Sequence, residues 1–263
     1  MIDVVPAHSS TGSYPDLSGK VAVVTGGSRG IGAATALALA ANGVAVAVVG
    51  REPQALDRTL QAVKAMGHDA IAVAADCTSG DQLRAMRCKV TAELGPVEIL
   101  AAFAGGNGMP RATRDETVEH WRDVMDSDLT STFLTVSAFL PDMLDRHSGV
   151  IITMASAAAR QAAKSSAAYA AAKAGVIAFS RHLASEYGPQ GIRINCLAPS
   201  AVENDRMRSA LSKEQRRALG EAFPVGRIGQ PEDVAAAAVF LASAASAWIT
   251  GTTVDVAGGK VML

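Results

Sequence analysis

The feature that most constrains this chain is a repeated change of hydrophobic period. Short apolar runs rich in Val, Ile and Ala alternate with longer stretches whose apolar residues recur at helical spacing. KVAVVT (20–25), VAVAVV (44–49), AIAVAA (70–75), VEILAAF (97–103), GVIITMA (149–155), IRINCLA (192–198) and TTVDV (252–256) read as strands. Helical patterns lie between them at 31–43, 53–67, 79–94, 117–145 and 166–187, and a last helix at about 231–243 precedes the seventh strand. Pro53 opens one of these helices and Gly67 closes it, in the order that helix ends favour.

Strands joined through crossover helices pair in parallel, and right-handed crossovers cover both sheet faces. The expected fold is therefore α/β: a single-domain Rossmann fold with a seven-stranded parallel, doubly wound sheet. Residues 1–16 read as a flexible lead, and 17–263 as the domain. AVENDRMRSALSKEQRRALGEAFPVG (201–226) interrupts the alternation after the sixth strand. It is polar, helical and placed at a strand's carboxyl end, where such sheets bind ligands, so it is expected to be a substrate lid.

Composition narrows the function by exclusion. The 263 residues set 24 Lys plus Arg against 25 Asp plus Glu, which implies no overall attraction to nucleic acid or to an anionic membrane. No apolar run reaches the roughly 18 residues of a membrane span. The opening MIDVVPAHSSTGSYPD lacks the basic-then-apolar order of a signal peptide, so the expectation is a cytoplasmic protein acting on a small molecule. Cys77, Cys88 and Cys196 are odd in number, lack C-x-x-C spacing and fall in predicted regular elements, which points to reduced thiols. His182 and Glu186 have i, i+4 spacing but no third ligand, and no metal site is expected.

TGGSRGIG (25–32) follows the first strand and opens the first helix. Gly26, Gly30 and Gly32 allow a tight turn and a close approach to a pyrophosphate, whose charge would rest on the helix N-terminus. The GGSRG within it also fits the elbow of serine hydrolases. That reading fails on order, because the last histidine, His182, lies in a predicted helix and little chain precedes Ser28 to build an oxyanion loop. The second strand ends at Gly50 and Arg51, where an NAD site would place an acid for the ribose 2′-hydroxyl. Arg51 and Arg29 suit a 2′-phosphate instead, which makes NADP (NADPH) the expected cofactor.

SAAYAAAKAG (166–175) puts Tyr169 and Lys173 one helical turn apart. A phenol ordinarily keeps its proton until about pH 10, so proton exchange near neutrality needs a neighbouring positive charge that stabilises the phenolate. Lys173 is such a charge.

From Leu17 to Leu263 the chain resembles the short-chain dehydrogenases/reductases. The resemblance rests on TGGSRGIG, on Asp76 closing the third strand, on Ser156 thirteen residues before Tyr169, on the Y-x-x-x-K pair and on TGTTVDVAGG (250–259). It implies that Ser156 positions a substrate carbonyl, that Tyr169 exchanges the proton, and that Lys173 favours the phenolate and holds the nicotinamide ribose. It further implies cofactor contacts from Gly26, Ser28, Arg29, Gly30, Ile31, Gly32, Arg51, Asp76, Cys77, Ala104, Gly105 and Pro199, besides Tyr169 and Lys173.

The chain departs from the family pattern in three places. Ala102 and Phe103 replace asparagines after the fourth strand. Asp128, in VMDSDLTSTF (124–133), stands where an asparagine anchors a water of the proton relay; a carboxylate accepts but cannot donate as an amide does, and its charge would perturb Lys173. Ser200 follows Pro199 where the family has glycine.

GRIGQPEDVA (226–235) and FLASAASAWITG (240–251) are similar to the bacterial 3-oxoacyl-ACP reductases. AGGNG (104–108) and RHLASEYGPQGIRIN (181–195) are also similar to the 2,4-dienoyl-CoA reductases, a branch that departs from Y-x-x-x-K. The resemblance therefore implies reduction of a ketone, with an ACP or CoA thioester as substrate, in a homo-oligomer, commonly a tetramer. A non-catalytic NADP-binding regulatory protein is the alternative from another class.

Overall fold

The computed structural model describes residues 12–106 and 109–262. The strands are β1 (Val21–Thr25), β2 (Ala45–Gly50), β3 (Ala70–Ala74), β4 (Ile99–Ala102), β5 (Gly149–Met154), β6 (Ile192–Pro199) and β7 (Thr253–Val256). They form one parallel sheet in the order β3-β2-β1-β4-β5-β6-β7. The helices are α1 (Gly30–Ala40), α2 (Pro53–Ala65), α3 (Gly80–Leu94), α4 (Val118–Met125), α5 (Ser131–Asp145), α6 (Ala167–Tyr187), α7 (Asp205–Ala210), α8 (Lys213–Gly220) and α9 (Pro231–Ala242).

Both faces of the central strands are dry. Ala22, Val24, Val46 and Val48 face one core with Leu39 of α1, Leu56 and Val63 of α2 and Val239 of α9. Val21, Val23, Ala47 and Val49 face the other with Leu83 and Met86 of α3, Phe139 and Met143 of α5 and Leu183 of α6. Successive strand residues point to opposite faces, so burial on both sides demands a continuous apolar run rather than an alternating one. That is the pattern of VAVVT and of AVAVVG.

The predicted helix over 117–145 is two helices separated by a wide π-type turn, Asp126–Thr130. Side chains compete with the backbone here: Ser127 Oγ donates to Val124 O (3.3 Å) and Ser131 Oγ, at the start of α5, to Ser127 O (2.7 Å), while Thr130 Oγ1 donates to the Asp126 carboxylate (3.1 Å). The bulge turns Asp128 inward, where it is fully buried.

Residues 14–17 are fixed to the domain surface: Tyr14 N donates to Asn42 Oδ1 (2.7 Å), Asp16 accepts from Ala244 N (2.8 Å) and Leu17 is buried. Residues 14–16, which fall in the expected flexible lead, are thus held against the domain. The lead's residues 1–11 lie outside the described part, as do Asn107 and Gly108 of AGGNG. Cys77, expected in a regular element, lies in the turn between β3 and α3. On α6, Ala168, Ala172 and Val176 face the protein interior while Ala167, Ala171, Ala174 and Ala178 are exposed. No described helix is long and apolar enough to cross a membrane.

Leu39 is 1 % exposed and sits in the core between the sheet, α1 and α9. Leu39→Ala should lower the unfolding free energy by about 2–5 kcal/mol through lost transfer energy and a residual cavity. Urea denaturation at unchanged m-value would measure it.

Candidate active site

In the sheet order, β1 lies between β2 and β4, so the chain leaves β1 toward one edge and returns toward the other. The crevice this reversal opens at the carboxyl ends of the strands is where open parallel sheets bind ligands. A cleft of about 950 Å³ lies there. Gly26, Ser28, Arg29, Ile31, Gly32, Arg51, Asp76, Cys77, Ala104, Gly105, Ser156, Tyr169, Lys173 and Pro199 all line it, as do Ala201, Val202 and Arg206 of the expected lid. Gly30 starts α1 between the lining residues Arg29 and Ile31, and Asp128 is buried against the lining residues Gly106 and Lys173.

The glycine loop is built for close approach. Gly26 has φ +67°, and a Cβ on Gly32 would lie 2.1 Å from Gly26 O, so neither position accepts a side chain. No side chain caps α1, which leaves its first amides available to an anion at the cleft. Thr25, fully buried, ties the chain leaving β4, where Ala102 and Phe103 have no polar side chain to do so. Its Oγ1 accepts from Phe103 N (3.0 Å) and Ala104 N (3.1 Å), so the β4 end is held from β1 without the family's asparagines. Thr78 N (2.9 Å) and Thr78 Oγ1 (2.8 Å) both donate to Asp76 Oδ1. These bonds, the amide's first, hold the Asp76 carboxyl below its ordinary range and keep it an acceptor at the cleft wall.

At the other end, Ser166 caps α6 by accepting from Tyr169 N (3.1 Å), which sets the tyrosine at the helix start, half-buried and facing the cleft. Ser156 Oγ accepts from Ala158 N (3.2 Å), an arrangement that leaves its hydroxyl proton for a ligand. Arg160, four residues on, makes a paired contact with Asp255 of β7 (3.0 Å) and fixes the turn that carries the serine. Lys173 Nζ lies 5.8 Å from the Tyr169 ring centroid.

Lys173 is only 2 % exposed and Asp128 is 0 % exposed. Lys173 Nζ donates to Met154 O (3.0 Å) and lies 3.1 Å from Asp128 Oδ1. The same Asp128 oxygen accepts from Gly106 N (2.6 Å), and Oδ2 accepts from Ser127 Oγ (2.9 Å). Asp128 is therefore the buried counter-ion of Lys173. Two of the three ammonium protons point to Met154 and Asp128, leaving one for a ligand. Gly105, with φ +130°, completes the fit, since a Cβ there would lie 2.6 Å from Asp128 Oδ1.

Comparison with known proteins places this geometry. The family profile described as enoyl-(acyl carrier protein) reductase matches residues 26–260. The chain belongs to the short-chain dehydrogenase/reductase family. It is an oxidoreductase of that family. The 3-oxoacyl-[acyl-carrier-protein] reductases FabG of Vibrio cholerae and Escherichia coli are 38 % and 37 % identical to it, and each match covers 94 % of this chain and 100 % of the relative. The crystal structure of a 3-oxoacyl-[acyl-carrier protein] reductase with bound NAD from Brucella melitensis superposes with a TM-score of 0.86 at 30 % identity, covering 100 % of this chain and 98 % of that one.

Within this family member, several participants were invisible as candidates in the sequence. Thr25 is quoted in the glycine motif, yet its tie to β4 needs the tertiary pairing. Glu52 follows Arg51 and lies 2.5 Å from Arg29, so one of the two expected phosphate ligands carries an acidic partner. Met154 contributes only a backbone oxygen, for which no residue type is diagnostic. His182 and Glu186 form an exposed pair on α6 (3.5 Å), away from the cleft.

Removing Asp128 should expose the cost of its pairing. Asp128→Ala leaves the Lys173 ammonium buried without its counter-ion and should destabilise the fold by about 3–5 kcal/mol, read by urea unfolding. Asp128→Asn keeps an acceptor oxygen and should cost clearly less. The thiols give a second check. Burial pushes the Cys77 thiol up to about 11, so although it lines the cleft it stays a neutral thiol at pH 7. Iodoacetamide should label exposed Cys88 first, with Cys77 and Cys196 reacting only on unfolding, as mass spectrometry of the digested protein would show.

Proposed function

We propose that this protein is an NADPH-dependent reductase that converts a ketone carbonyl to a secondary alcohol, with a 3-oxoacyl thioester of ACP or CoA as its substrate class. One observation carries the reading: Ser156 of the turn after β5 and Tyr169 and Lys173 of α6 line the same cleft as the uncapped glycine loop and the cations Arg29 and Arg51. The cofactor fits the residues present. The loop and the α1 amides would hold its pyrophosphate, Asp76 its adenine end, Arg29 and Arg51 its 2′-phosphate, and Lys173 its nicotinamide ribose. When bound, the nicotinamide supplies the hydride.

The chain's own residues do the rest. Ser156 donates to the carbonyl oxygen and holds it beside the Tyr169 hydroxyl. Tyr169 gives its proton to that oxygen as negative charge develops there, and Lys173 stabilises the phenolate left behind. Asp128 positions Lys173 and offsets part of its charge. Segment 201–226, with Arg206 at the cleft, closes the outer wall and so selects the substrate. The exposed alanines Ala167, Ala171, Ala174 and Ala178 suit close helix packing in a homo-oligomer.

The family profile is described by enoyl reduction, whereas the relatives reduce 3-oxoacyl groups. The site favours the second. Two hydroxyl side chains, Ser156 and Tyr169, on one cleft wall suit proton delivery to a carbonyl oxygen, while saturation of a carbon–carbon double bond requires a proton at carbon.

An NADPH-oxidation screen over ketones, 3-oxoacyl thioesters, dienoyl thioesters and quinones, repeated with NADH, should give highest turnover on the 3-oxoacyl thioesters. NADPH binding with no oxidation on any substrate would favour a non-catalytic protein. Tyr169→Phe should reduce kcat by at least about a hundredfold, the scale of lost general acid catalysis, with NADPH affinity retained.

A further inference from the structure

The dinucleotide end of the cleft carries a charge that its expected ligand does not want. Glu52 lines the cleft beside Gly50 and Arg51, and its Oε2 lies 2.5 Å from Arg29 Nη2. It is the residue before α2, yet its side chain makes no capping bond to that helix. Its carboxylate is thus turned from the helix to Arg29. Both partners are more than half exposed, at 52 % and 66 %, so the pair can open at little cost.

We propose that Glu52 is a specificity-determining residue that weakens discrimination for NADPH over NADH. The inference rests on the reading of Arg29 and Arg51 as ligands of the 2′-phosphate. A 2′-phosphate must take Arg29 from Glu52 and then lie beside the displaced carboxylate, so the glutamate both competes for the cation and repels the ligand. NADH brings no such group, and for it the Arg29–Glu52 pair stays closed. Glu52 therefore lowers affinity for the phosphorylated cofactor alone. Because the groups are exposed, the effect is electrostatic and screened by salt.

The test is equilibrium binding of NADPH and NADH to the full chain, read by nucleotide fluorescence, for the wild type and Glu52→Gln. Glutamine keeps the size and removes the charge, and circular dichroism would check that the variant is folded. NADPH should bind about tenfold more tightly to Glu52→Gln, NADH should change by less than about twofold, and the NADPH gain should shrink toward one at 1 M salt. In an Arg29→Gln background the gain should change, since the competition for the cation is gone and only the repulsion between the Glu52 carboxylate and the 2′-phosphate is left; an identical gain in both backgrounds would mean that Glu52 does not act through Arg29. Equal tightening of both nucleotides, or none for NADPH, would overturn the role of Glu52 while leaving the NADPH reading intact. Wild-type protein that binds NADH more tightly than NADPH, with no reversal in Glu52→Gln, would overturn both.

Discussion

The site depends on one constraint of chain topology: β1 pairs in parallel with both β2 and β4, and the sequence order reverses between them. Parallel pairing brings every strand's carboxyl end to the same edge. The reversal then leaves a crevice between the β1 and β4 exits, because the crossover helices depart from it on opposite faces of the sheet. Thr25, the last residue of β1, holds that crevice in shape by accepting two amides from the segment that leaves β4. The glycine loop, the segment around Gly105 and the turn after β5 all meet around this opening, so residues 130 positions apart in the chain can face one ligand.

A second dependence lies at the far end, in the buried pair of Lys173 and Asp128. A buried ammonium is costly unless it is paired and hydrogen-bonded, and here Met154 O and Asp128 supply both. The pairing shapes its surroundings. It draws a residue of the π-type turn inward, and its carboxylate ties down the Gly106 amide at a place where Gly105 has no room for a Cβ. The segment leaving β4, the α4–α5 junction and α6 are thereby joined through one oxygen atom. Charge balance is the chemical consequence: the lysine beside the tyrosine is not a lone cation but half of a buried ion pair.

Much of this was legible before any tertiary contact was known. Continuous apolar runs such as VAVAVV disclosed strands buried on two faces, and the Pro53 and Gly67 boundaries marked a helix that the structure places at Pro53–Ala65. Tyr169 and Lys173 could be joined because helical spacing is local. Ser156 could be joined to them only through resemblance, since nothing in its own neighbourhood marks a cleft residue. The break at 126–130 was missed because apolar spacing continues through it, and a single inserted residue in a helix hardly disturbs that period.

By itself, then, the sequence determined the parallel sheet, the positions of its helices, the glycine turn and the Tyr–Lys neighbourhood, because each follows from side-chain period or backbone freedom within a few residues. Tertiary structure alone decided which charges are paired. Asp128 became the counter-ion of Lys173, and Glu52 the partner of Arg29, through folding that brings together elements 45 and 23 residues apart. Electrostatic pairing acts through space over a few ångströms, and separation along the chain carries no measure of that distance.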